Sequence, residues 1–146
     1  MSTIRVERVI AADPTGTALL LAGQTALDLW PGVTRLSEVG AGPLVVEAVV
    51  PALRRSAARV SVSAGPPRRL VTSYVTTFRF SGDGLPTTDG TVTLTRSSAS
   101  VHAATDAVLT LSWEGSDVRV TAAFHAMADG FLANLAAAAE ERSYAA

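Results

Sequence analysis

The C-terminal part of the chain constrains the rest. Phe124, Ala128, Phe131, Leu135 and Ala138 recur at steps of three or four, with Met127 beside them. That period puts them on one stripe of an α-helix, while Asp129, Asn134, Glu140 and Glu141 point elsewhere. A helix with one apolar stripe has to lay it on another apolar face. The sequence before it reads as strands, so that face belongs to a sheet. Where the helix begins is open: Val118–Phe124 fits strand or helix, and Ser116 and Asp117 fit a cap or a turn.

The strands show themselves by alternation. Ile4 and Val6 oppose Arg5 and Glu7 in the first. "VTRLSEV" and "PLVVEAVV" flank "GAG", a hairpin signal. "AARVSVSA" alternates, and "GPP" breaks the chain after it. "RRLVTSYVTTFRF" reads as one long strand with Leu70, Tyr74, Phe78 and Phe80 on one face, and "SGDGLPTTDG" as the loop that follows. "TVTLTR" is a further strand and "SSASVHAAT" is ambiguous. "AVLTLSWE" groups Ala107, Leu109, Leu111 and Trp113. Between the first strand and these lie two short helices. Asp13 caps the first, Pro14 opens it and Gly23 ends it; the second starts at Thr25 and stops at Trp30, because proline disfavours helical geometry in the residue before it.

A chain of 146 residues suits one domain, here 1–146. Cysteine is absent, which excludes disulfides and thiolate metal sites. No basic leader precedes an apolar run at the start, and no apolar run is long enough to span a bilayer, so the expectation is a cytoplasmic protein without a membrane span. Net charge is −1, which gives no general attraction to nucleic acid. All basic residues are arginine, which fits a GC-rich bacterial genome.

The order of elements, with "LWPGV" (Leu29–Val33), "PPRRLV" (Pro66–Val71) and "FLANLAAAAEER" (Phe131–Arg142), resembles the helix-grip superfamily. That group, also called SRPBCC, includes START lipid-transfer domains, polyketide cyclases and birch-pollen-allergen-like proteins; the resemblance is to members of an actinobacterial type. It implies an α+β fold in which a curved seven-stranded antiparallel sheet surrounds a long C-terminal helix and two short helices plug one end. It also implies a small hydrophobic ligand (a lipid, a polyketide or a similar metabolite) held between sheet and helix. Trp30 then covers the plugged corner, as a packing anchor or as a gate over a cavity mouth. The first short helix departs from the family pattern, with Ala18 and Leu19 where a tryptophan often stands.

The residues expected to line such a space are Trp30, Tyr74, Thr76, Phe78, Leu109, Leu111, Trp113, Phe124, Ala128 and Phe131, with Tyr74 and Thr76 as its polar groups. A packed core is the plain alternative for the apolar ones. No catalytic constellation stands out. His102 lies in the ambiguous segment and His125 beside the helix stripe, and no spacing pairs a base with a nucleophile. Two histidines without cysteine point to no metal, the glycines read as turn glycines, and no cofactor is expected. From Ala48 to Gly82 there is no acid, yet Arg54, Arg55, Arg59, Arg68, Arg69 and Arg79 occur there. They make either a solvated face or a site for an anionic ligand or acidic partner. Three functions remain open: a carrier of a small apolar molecule, a cyclase or dehydratase using Tyr74, His102 or Arg79, and an interaction module without ligand. A homodimer stays among the open arrangements.

Overall fold

The structure, a computed structural model, describes residues 1–21, 29–31, 33–35, 44–50, 55–64, 68–82, 85–98 and 103–145, with the backbone alone at 33–35, 44–50, 55–64, 81–82, 85 and 143–145. β1 (Ser2–Ile10) leads into α1 (Pro14–Leu19). The Asp13 carboxylate accepts the Gly16 N–H at 3.0 Å, and Pro14 takes a first-turn position where a missing N–H costs nothing. α1 ends before Gly23: Leu20 and Leu21 form a turn, with the Leu21 N–H donating to the Ala18 carbonyl at 3.0 Å. The second short helix expected over Thr25–Trp30 falls mostly outside the described residues; Leu29 to Pro31 form a turn.

Next come β2 (Val33–Arg35), β3 (Leu44–Val50), β4 (Arg55–Ala64), β5 (Arg68–Arg69), β6 (Ser73–Gly82), β7 (Leu85–Arg96) and β8 (Thr105–Trp113), then α2 (Val118–Ala145). All pairings are antiparallel. The sheet runs β1-β8-β7-β6-β4-β3-β2, seven strands in a row, with β5 off that path on β6.

Two expectations change here. The stretch Arg68–Phe80 is not one strand. It folds back at Leu70–Thr72, where the Leu70 N–H donates to the Ser73 carbonyl at 2.7 Å. Arg68 then lies opposite Val75 and Arg69 opposite Tyr74. β4 ends its pairing with β6 at Ala64 opposite Phe78, and β5 takes up the same edge farther along. Leu70 therefore leaves the inward face, and Val71 at the tip is 99% exposed. The second change concerns "SGDGLPTTDG", which is mostly strand. β6 reaches Gly82 and β7 begins at Leu85. Thr88 points inward and is buried, its hydroxyl donating to the Pro86 carbonyl at 2.9 Å. Asp89 points outward to Arg79. A polar residue can face the core when its hydroxyl is bonded, which hides such a strand from a reading by polarity.

α2 starts at Val118, which settles the open choice in favour of helix. The Asp117 carboxylate accepts the Arg119 N–H at 2.8 Å and its carbonyl accepts the Thr121 N–H at 3.1 Å. Val120 and Ala123 carry the buried stripe upstream of Phe124. Among the described residues α2 packs most closely on β1 and β8.

Register fixes the inward rows of the sheet. Trp113, Thr88 and Phe80 lie side by side across β8, β7 and β6. Beyond them come Leu111, Gly90 and Phe78, then Leu109, Val92 and Thr76, then Ala107, Leu94 and Tyr74. Gly90 is not a turn glycine. A Cβ there would stand 2.8 Å from Leu111 Cδ2, so the missing side chain makes room for Leu111.

Candidate functional site

The layer between the sheet and α2 is built on four rings. Trp30 is 3% exposed. Its ring centroid lies 4.3 Å from Phe131, 4.8 Å from Phe80 and 5.5 Å from Phe78, edge-on to the last two. Phe78 and Phe131 meet at 5.6 Å, also edge to face. Such pairs add about 0.5–1.5 kcal/mol each beyond area burial. Trp30 thus pins the turn before Pro31 to both the sheet and α2. Trp113 meets Phe124 separately, at 4.8 Å, where α2 lies on β8.

The ten residues expected from the sequence come together. Trp30, Phe78, Leu109, Leu111, Trp113, Phe124, Ala128 and Phe131 belong to one buried cluster, and Thr76, 1% exposed, lies on the same face of β6 as Phe78. Tyr74 packs at the margin, half-buried. Its hydroxyl is paired with the Thr15 hydroxyl at 3.0 Å and so ties α1 to β6.

The charged residues lie elsewhere. Arg79 Nε donates to Asp89 Oδ1 at 2.9 Å, with both side chains 64% exposed, on the face turned away from α2. Arg68, Arg69 and His125 are exposed. Arg54 and His102 fall outside the described residues, and for Arg55 and Arg59 only the backbone course is described. Among the described residues no group of three or more potential metal ligands stands together, and no helix is long and apolar enough to cross a membrane. An open recess of about 480 Å³ lies over β1, β8 and β7, lined by Arg5, Glu7, Arg8, Thr95 and Asp106 among others. Val9, Ala107 and Val108 complete its wall, Arg5 and Glu7 pair within it at 2.6 Å, and none of the rings lines it.

Three features escape a reading of the sequence. Asn134 Nδ2 donates to the Leu29 carbonyl at 2.8 Å, and Glu140 accepts the Ala11 N–H at 3.1 Å, so the polar side of α2 holds both ends of the segment between β1 and β2. The third is that Trp30 Nε1, Trp113 Nε1 and Thr76 Oγ1 are buried without a hydrogen-bond partner among the described residues. Alternation turns Thr76 inward, but nothing local tells whether a side-chain donor finds an acceptor.

No protein-family model and no curated protein matches the sequence of this chain. Its fold does match solved structures over nearly its whole length. TTHA0849 from Thermus thermophilus is similar with a TM-score of 0.69 and 18% identity, covering 97% of this chain and 99% of that one. The Zhui aromatase/cyclase from Streptomyces sp. R1128 is similar with a TM-score of 0.66 and 15% identity, over 97% and 95%. Ara h 8.0201 gives 0.57 and 12%, over 96% and 98%. The chain therefore has the helix-grip fold, α+β with a long C-terminal helix on an antiparallel sheet.

Proposed function

We propose that this chain binds a small apolar molecule between the sheet and α2. The observation that carries the proposal is the make-up of that layer. The helix wall is rich in alanine, with Ala123, Ala128, Ala136 and Ala139 buried. α2 packs directly on β1 and β8, while over β6 the helix meets the sheet through the rings of Trp30, Phe78 and Phe131. Alanines set between the larger buried side chains of α2, with the rings of Trp30 and Phe78 opposite, suit a site for an apolar guest. The shared fold with an aromatase/cyclase is consistent with this, although a fold hosts many functions.

Binding without turnover is the reading adopted. Of the three acid–base candidates, the Tyr74 hydroxyl is engaged by Thr15 and Arg79 by Asp89 on the outer face, while His102 lies outside the described residues. The test is a fluorescence titration with N-phenyl-1-naphthylamine, a neutral apolar probe that brightens when it leaves water. Saturable one-to-one binding to the native protein is expected. Absence of saturable binding, with cooperative unfolding intact, removes the proposal.

A further inference from the structure

We infer that the molecule this interior takes is neutral and carries a hydrogen-bond-accepting oxygen, as in a ketone, ester or lactone on an apolar skeleton, and that the Thr76 hydroxyl and the Trp30 indole N–H receive it. The inference rests on the binding role proposed above.

The described interior holds few polar side chains. Thr17, Thr88 and Thr105 are buried, and each donates its hydroxyl to a backbone carbonyl, of Asp13, Pro86 and Ala12 respectively. Thr76 is just as buried and has no such partner among the described residues. Neither has the indole N–H of Trp30 or Trp113. A buried donor left unpaired costs folding free energy, so each such atom marks a place where an acceptor would be held. An indole N–H donates only, and a hydroxyl can donate. The complement to this interior is therefore an acceptor.

Position separates the three donors. Thr76 is the inward residue of β6 next to Phe78, and the Trp30 ring rests on Phe78 and Phe80. Both lie on the β6 side, where the helix meets the sheet through the rings of Trp30, Phe78 and Phe131. Trp113 lies where α2 packs directly on β8, against Phe124. The first two belong to the site and the third to the closed half of the core. Charge narrows the ligand further. No ionisable side chain is buried among the residues whose side chains are described, so a carboxylate entering here would meet no counterion among them. That favours a neutral carbonyl compound over a free fatty acid.

The test displaces N-phenyl-1-naphthylamine with 2-acetylnaphthalene, 2-ethylnaphthalene and 2-naphthoate at pH 7. Thr76→Val and Trp30→Phe are each expected to weaken the ketone about three- to tenfold, the range of one neutral hydrogen bond, and to leave the ethyl compound within about twofold. Naphthoate is expected to compete more weakly than the ketone. Trp113→Phe is expected to leave the ketone unchanged. Without ligand, Thr76→Val is expected to melt no lower than the wild type, because it removes an unpaired donor. Equal losses for ketone and ethyl compound make the two residues merely structural. An unchanged ketone affinity in both variants means that water, not ligand, meets the donors. A naphthoate as tight as the ketone overturns the neutral-ligand claim. Each of these outcomes leaves the binding role standing. A probe that does not bind at all removes that role, and the inference with it.

Discussion

Gly130, in the middle of α2, stands against the ring of Pro31: a Cβ on the glycine would meet Pro31 Cγ at 2.8 Å. The ring carbon is not the loose end of a flexible chain, so the helix can pass this close only where it has no side chain. Gly130 is thus a close-approach glycine, and not the turn glycine that the sequence suggests.

This sets two opposed effects on Gly130→Ala. Alanine favours an exposed helix by about 1 kcal/mol over glycine. Overpacking against a fixed ring costs about 1–3 kcal/mol. The clash is expected to win by about 1 kcal/mol in denaturant unfolding. In a Pro31→Ala background the sign is expected to reverse, since the remaining Cβ stands 3.4 Å away. Stabilisation by Gly130→Ala in the otherwise unchanged protein would mean that helix and turn do not meet this closely.

Much of the fold was legible because it is written in short periods. The alternation of Thr76, Phe78 and Phe80, and of Leu109, Leu111 and Trp113, reported the inward face correctly. The helical stripe from Phe124 to Leu135 did the same for α2. Alternation gives a residue's face but not its partner strand. The fold-back at Leu70–Thr72 was therefore invisible, because "RRLVTSY" keeps a strand-like pattern through the turn. Pairing between residues far apart in sequence was hidden for the same reason, as with Asn134 and Leu29 or Tyr74 and Thr15. The candidate site was legible as a list of inward residues, whereas its unpaired donors depend on what each atom fails to meet in three dimensions.

Asn134 gives the second prediction. Its amide donates to the Leu29 carbonyl just ahead of Trp30, and so holds the turn that delivers the ring. Asn134→Ala is expected to lower stability by about 1 kcal/mol, the usual net value of such a bond. Asn134→Asp is expected to do worse at neutral pH, because a carboxylate faces a carbonyl and cannot donate. Equal stability of all three proteins would show that the bond contributes nothing.

The third concerns acid. The Arg119 N–H bonded to Asp117 holds its carboxyl below the ordinary value of 3.8, with the Arg119 charge adding to the effect. A carboxyl whose folded pKa is depressed contributes stability above its unfolded pKa and loses it as pH falls through the folded value. Asp117→Ala is therefore expected to melt lower than the wild type at pH 7, and the two melting curves are expected to converge as pH drops below 3.8. A gap that stays constant through that window would separate the cap from any titration. Asp117→Asn, which still caps, is expected to lose less at pH 7.

The ring cluster gives the fourth. Phe131 touches Trp30 and Phe78 and is fully buried. Phe131→Ala is expected to cost about 3–5 kcal/mol, because it removes the ring and leaves a hole between helix and sheet. A loss below about 1 kcal/mol would mean that the layer closes over the gap.

Ala128 decides whether the layer between the sheet and α2 accepts an apolar guest. It is fully buried on the inward stripe between Phe124 and Phe131. The measurement is the titration of N-phenyl-1-naphthylamine into the wild type and into Ala128→Phe, with unfolding free energies for both. Saturable binding to the wild type, loss of that binding in the variant and little change in stability are expected, because the new ring occupies the guest's place. A variant destabilised by the roughly 1–3 kcal/mol of overpacking, beside a wild type that binds no probe, would contradict this and leave the layer a closed core.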